Sequence, residues 1–193
     1  MIRTLVTIPS VVLRMKSKRI GHVDDAIKQL AEDMIETVLD WDHGSEFGAA
    51  LAAIQIGQPQ KLTVVRNNFD DAEDKTFLTF VNPEIVQKSS ERVTDIEGCL
   101  SVPGIYARIA RARKIKVKAE TLDGQPIRLS LEGFAARVFQ HEVDHMQGKL
   151  FIDMIKSVDD VLALGDDDKL HPVDSMPEMI AEALHEHNHN PTT

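Results

Sequence analysis

The segment His141-Glu142-Val143-Asp144-His145 places an acid between two histidines four residues apart. On a helix, four residues make about one turn, so both imidazoles face one side and can reach a single metal ion at roughly 2 Å. Glu142 sits one step around the helix. There it can touch a water at that metal without being forced to ligate it, which suits a group that takes a proton and later passes it to a leaving amine. The single cysteine, Cys99, lies upstream in Glu97-Gly98-Cys99-Leu100-Ser101. A lone cysteine is commonly buried and inert. This one sits in a tightly turning segment, and a thiolate beside two imidazoles would leave one tetrahedral position for water or substrate. Both readings of Cys99 stand at this point. Glu97 either orients a ligand or pairs with an arginine. Residues 48–57 are rich in small side chains, and Gln55 among them either donates its amide to a developing oxyanion or belongs to a simple turn. The chemistry these types imply is metal-assisted hydrolysis of an amide-like bond.

Several elements must carry these residues. Ile27, Leu30, Ala31, Met34, Ile35 and Val38 recur at three- and four-residue intervals, so residues 24–41 read as a helix with Asp24 as its cap. His43 to Gly48 reads as a loop, Leu62–Val65 as a strand, Asn67–Lys75 as a polar loop, and Thr76–Val81 and Glu84–Lys88 as strands separated by a turn at Asn82-Pro83. Ile115–Thr121 and Gln125–Leu129 form a hairpin through Asp123-Gly124. Ser130 reads as the cap of a core helix over Leu131–His145, with Gly133 inside it and Gly148 as its stop. A short helix is expected near Asp159–Leu164 and another over Pro177–His187, followed by a frayed Asn/Pro/Thr end.

The 193 residues fit one catalytic domain, 1–193, with an acidic C-terminal extension of uncertain order after about residue 154. One cysteine excludes a disulfide framework and fits a reducing compartment. The apolar runs are too short for a membrane span, and the first residues carry no signal-peptide pattern. The net charge of -9 disfavours nucleic-acid binding by the whole molecule, so no specific DNA binding is expected. Arg108 to Lys118 is nonetheless basic, and reads as a solvated strand rather than a docking patch.

Three separated segments resemble the peptide deformylase family. Gly48 through Gln55 follows its GxGxAAxQ motif, Glu97 through Ser101 matches EGCLS, and Gln140 through Gly148 matches QHExDHxxG. Weaker similarity spans roughly residues 5–155. The chain departs where Ala50 replaces the second glycine, Ile54 a common proline, and Ala110 the proline often found before Arg111. The resemblance implies an α+β fold in which antiparallel strands pack around a central helix carrying the HExxH segment. It implies hydrolysis of N-formylmethionyl peptides with release of formate, in a bacterial-like cytoplasm, with nascent chains as partners and a transient ribosome contact. One divalent metal would be held by Cys99, His141 and His145, with Fe²⁺ favoured by the resemblance and Zn²⁺ or Ni²⁺ as alternatives. Glu142 would move the proton. Gln55 and the Leu100 backbone N–H would bind the oxyanion. Gly48, Ala49, Ala50, Leu51, Glu97 and Tyr106 would flank the peptide, and Glu97 would pair with Arg111. The alternatives are a zinc peptidase of HExxH type with a downstream ligand such as Asp153 or Asp159, and an inactive peptide- or ribosome-binding relative.

Overall fold

A computed structural model describes residues 1–43, 46–71 and 73–189. The first long element is helix α1 (Asp25–Asp40), capped by the Asp24 side chain, which accepts from the Ile27 amide. Its apolar stripe meets Leu51, Leu62 and Val64 in one buried cluster, so the helical periodicity of the sequence marks a real packing face. Two short strands follow, β1 (Asp42–His43) and β2 (Glu46–Phe47), paired antiparallel where a loop was expected. Gly44 and Ser45 between them lie outside the described residues.

Strand β3 (Ala50–Ala52) leads into a 3-10 turn (Ala53–Ile56), and then come β4 (Leu62–Arg66), β5 (Phe77–Lys88), β6 (Arg92–Cys99) and β7 (Val102–Ala112). Strands β8 (Lys114–Glu120) and β9 (Pro126–Glu132) precede helix α2 (Gly133–Met146). Strands β10 (Val161–Leu164) and β11 (Leu170–Pro172) and helix α3 (Glu178–His189) complete the described chain. One sheet runs β3-β4-β5-β8-β9 and a second β11-β10-β7-β6. The fold is thus α+β with antiparallel sheets. Helix α2 touches β3, β5, β8 and β9 of the first sheet and β7 of the second.

The structure corrects further expectations. Asn82-Pro83 does not reverse the chain. Asn82 takes φ 52 and the pairing of β5 with β8 shifts register there, so the two residues make an irregularity inside one strand. The Asn82 side chain holds it by accepting from the Ile20 amide and donating to the Ile20 carbonyl. Ser130 does not cap α2: it pairs with Lys116 in β9, because Ile127, Leu129 and Leu131 alternate with Arg128, Ser130 and Glu132 as a half-buried strand requires. The helix starts at Gly133, whose φ of 62 turns the chain out of the strand. The helix expected near Asp159–Leu164 is a single 3-10 turn (Val158–Asp160) followed by β10.

The segment after Asp153 joins the core. Val161, Leu162, Ile180 and Ala183 are buried, and Val161, Ile180 and Ala183 cluster with Leu13, Phe151 and Ile152. Arg14 reaches both Asp153 (2.7 Å) and the Ala183 carbonyl (3.3 Å). The Asn/Pro/Thr end expected to fray, residues 190–193, lies outside the described residues.

Candidate active site

Helix α2 presents Phe134, Val138, His141 and His145 at spacings of four, three and four, which is one continuous stripe. Gln140 pins the helix to β7 by accepting from the Ala112 amide and donating to the Ala112 carbonyl. His141 Nε2 and His145 Nε2 are 3.1 Å apart, and Cys99 Sγ is 3.3 Å from His145 Nε2. The three donor atoms all lie within 4.8 Å of one another. Two imidazoles bound at 2.0–2.1 Å in a tetrahedron put their nitrogens about 3.3 Å apart, close to the 3.1 Å between His141 Nε2 and His145 Nε2. Cys99 is half-buried.

Glu97 fixes the ring of His141. Its Oε2 accepts from His141 Nδ1 at 3.2 Å, leaving Nε2 toward the trio. Arg111 grips the same carboxylate with two bonds, Nε to Oε1 at 2.9 Å and Nη2 to Oε2 at 3.0 Å, and also pairs with Asp144. Burial alone would raise Glu97, but the bonds from His141 and Arg111 win and hold it at about 2. Glu142 lies in the opposite environment. It is buried and accepts from the Thr63 hydroxyl at 3.5 Å, and burial pushes it up to about 7 against the pull of His141 and Thr63. A carboxyl in that range can both accept and return a proton near neutral pH.

Gln55 is oriented by its oxygen, which accepts from the Ala52 amide at 2.9 Å. Its Nε2 thereby faces Ser101 Oγ (3.2 Å) and Cys99 Sγ (3.5 Å). Leu100 begins the turn between β6 and β7, beside Cys99. A cavity of about 730 Å³ opens over these groups. Gly48, Ala49, Ala50, Glu97 and Tyr106 line it. Leu51 does not. Neighbouring strand residues point to opposite faces, so Leu51 is wholly buried against α1 while Ala50 faces the cavity. Ala50 is an ordinary strand residue paired with Val65, and its methyl carries no positive-φ strain. Gly98 is needed as glycine, since a Cβ there would run into the Tyr106 ring.

Sequence reasoning passed over several residues at the site. Arg137 reaches Glu97 from α2, and Asp144 pairs with Arg111. Phe69 and Phe134 form an edge-to-face pair, centroids 5.0 Å apart, and line the cavity with Trp41. The position of Arg137, one turn before His141 on a helix otherwise apolar at that point, was the available signal. Nothing local marked Phe69, which sits on the loop between β4 and β5.

The polypeptide deformylase family profile matches residues 2–161. The chain belongs to the peptide deformylase family. A peptide deformylase of Bartonella tribocorum is 40% identical over 158 residues, covering 81% of this chain and 85% of that protein. The crystal structure of a peptide deformylase from Legionella pneumophila aligns with a TM-score of 0.73 at 38% identity, over 82% of this chain and 88% of that one. A Met-Ala-Ser-bound class I type b peptide deformylase from Acinetobacter baumannii aligns with a TM-score of 0.73 at 30% identity, over 80% and 99% of the two chains. Neither acid offered as the downstream ligand of a zinc peptidase joins the histidines: among the described residues the grouped donors are Cys99, His141 and His145, while Asp153 pairs with Arg14 and Asp159 accepts from the Ser157 hydroxyl. As a peptide deformylase the chain is a metal-dependent hydrolase acting on formylated nascent peptides.

Proposed function

We propose that this peptide deformylase works as one catalytic domain spanning residues 1–193, organised around α2 as its central helix, with Cys99, His141 and His145 as the metal ligands. The observation that carries this is the convergence of one cysteine sulfur and two imidazole nitrogens within 4.8 Å of one another beside a cavity that Glu142 also lines. A divalent cation held there supplies Lewis-acid polarisation of the formyl oxygen and an acidified water. Family resemblance favours Fe²⁺, with Zn²⁺ and Ni²⁺ as alternatives that the ligand set also accepts.

The chain's own groups do the rest. Glu142, buried beside His141 and near half-ionised at neutral pH, takes the proton from the attacking water and delivers it to the departing amine nitrogen. The C–N bond of the formamide breaks, giving formate and a free α-amine. Gln55 turns its Nε2 from Ser101 to the developing oxyanion, where the Leu100 N–H is the second donor. Glu97, gripped by Arg111, keeps His141 in one tautomer.

The substrate backbone has a place to lie. Strand β3 ends one sheet and β6 ends the other, and residues in or beside both line the cavity. An extended peptide between them can pair with each open edge. Ala49 and Ala50 flank it on one side, Gly98 and Tyr106 on the other, and Val138 and Phe134 provide an apolar floor for methionine. The Met-Ala-Ser carried by the Acinetobacter baumannii relative has the chemistry of the product. Bacterial relatives and a nascent-chain substrate favour a cytoplasmic location with transient ribosome contact. No helix among the described residues is long and apolar enough to cross a membrane.

The test is formate release from formyl-Met-Ala-Ser by protein purified anaerobically, with metal content measured on the same sample. One metal per chain and stoichiometric formate support the assignment. Loaded protein that releases no formate overturns it.

A further inference from the structure

The metal ligands come from two elements. Cys99 ends β6, and His141 and His145 sit on α2. Strand β6 is the edge of its sheet, held on one side by β7, and its pairing shifts register between Glu97 and Cys99. An edge strand with an irregularity beside its ligand is a poor ruler for a bond that must be right to a few tenths of an ångström. The Arg111–Glu97 pair lies within the sheet; Arg111–Asp144 and Gln140–Ala112 tie α2 to β7, and on β6 itself the bond from His141 to Glu97 involves a ligand.

Arg137 crosses the gap. It lies on α2 one turn before His141 and is buried. Its Nη1 donates to Glu97 Oε1 at 2.6 Å and to the Ile109 carbonyl at 2.8 Å, and its Nη2 donates to the Val93 carbonyl at 2.7 Å. One guanidinium therefore binds β6 at two points and β7 at a third. With the two bonds from Arg111 and the one from His141, the Glu97 carboxylate has four donors on two oxygens and cannot rotate. We propose that Arg137 is a positioning residue that sets the separation between the strand carrying Cys99 and the helix carrying the two histidines, and so sets the affinity for the metal.

This role is particular to arginine. A planar fork can serve three acceptors in different directions, whereas a lysine ammonium on a thinner stem reaches one or two of them. Partners that orient metal ligands without touching the metal typically control affinity by about 10–100-fold. The inference rests on the ligand assignment above, and its test separates the two.

Metal-free wild type, R137K and R137M are titrated with Co²⁺ against a competing chelator, reading both the Kd and the visible absorption of the bound ion, which reports its coordination geometry. Ile180→Ala serves as a control that lowers stability at a site remote from the ligands. R137M is expected to bind Co²⁺ about 10–100-fold more weakly with an altered spectrum, R137K to fall between it and wild type, and I180A to bind as wild type despite a lower Tm. Should R137M fail to fold, R137K decides, with a loss of at least about fivefold supporting the role. A Kd less than about fivefold above wild type in the folded Arg137 variants overturns it, as does an equal loss in I180A. Wild type that takes up no Co²⁺ overturns the ligand assignment itself, and the role of Arg137 with it.

Discussion

Glu97 and Glu142 both adjoin His141, one through a hydrogen bond and one through the chain, yet their surroundings drive them apart. Glu142 has burial and little else, so it sits near 7. Replacing it with glutamine keeps shape and removes the proton acceptor. E142Q is expected to retain metal and lose about 10²–10⁴ in kcat, measured by formate release alongside metal content. Normal turnover in loaded E142Q would remove Glu142 from the mechanism. Glu97 is held at about 2 against an ordinary value of 4.5. Between those values the unfolded chain binds a proton that the folded chain refuses, so the stabilisation is complete above about pH 4.5 and is lost as pH falls toward 2. It amounts to roughly 3 kcal/mol. Urea unfolding of wild type and E97Q should show a gap that narrows by about that amount over this range, whereas a constant gap would mean that Glu97 is not ionised in the fold.

Among the elements, α2 depends on the two glycines at its ends. Gly133 has φ 62 with nothing near a Cβ, while Gly148 has φ 71 and its Cβ would collide with the Arg14 carbonyl. Gly133→Ala should therefore cost about 1–2 kcal/mol, and Gly148→Ala distinctly more, because backbone must also move. Equal Tm losses would show that the Arg14 segment yields freely. These elements also show what the sequence made legible. The spacing in His141–His145 and the Glu97–Ser101 segment are local patterns, and the helix of residues 25–40 announces itself by period, so all three could be read directly. The end of β9 could be misread because Ser130 and Gly133 carry helix-cap chemistry and only pairing with β8 reveals the strand. Arg137, Phe69 and the inward turn of Leu51 were hidden for the same reason: each is defined by a partner far away in sequence.

At the scale of the whole molecule, the acidic C-terminal segment is structural. Strand β10 adds to β7 with Leu162 opposite Tyr106, so the last strands support the one that lines the cavity. Ile180 is fully buried with Leu13 and Phe151. Ile180→Ala should cost about 2–4 kcal/mol in denaturant unfolding, and an effect below about 0.5 kcal/mol would show that α3 is only lightly docked. The sequence could not display this, since Val161–Leu164 is only four apolar residues between the acidic runs Asp159-Asp160 and Asp166–Asp168, too short to show a period. The two sheets meet the cavity with their terminal strands, β3 and β6, neither of which has a further strand beside it among the described residues. Amide and carbonyl groups are common to every polypeptide, and side chains alternate along an extended chain between floor and solvent. In the proposed binding mode, a guest held mainly by its main chain would be recognised, beyond the first residue, for being a protein beginning rather than for which protein it begins.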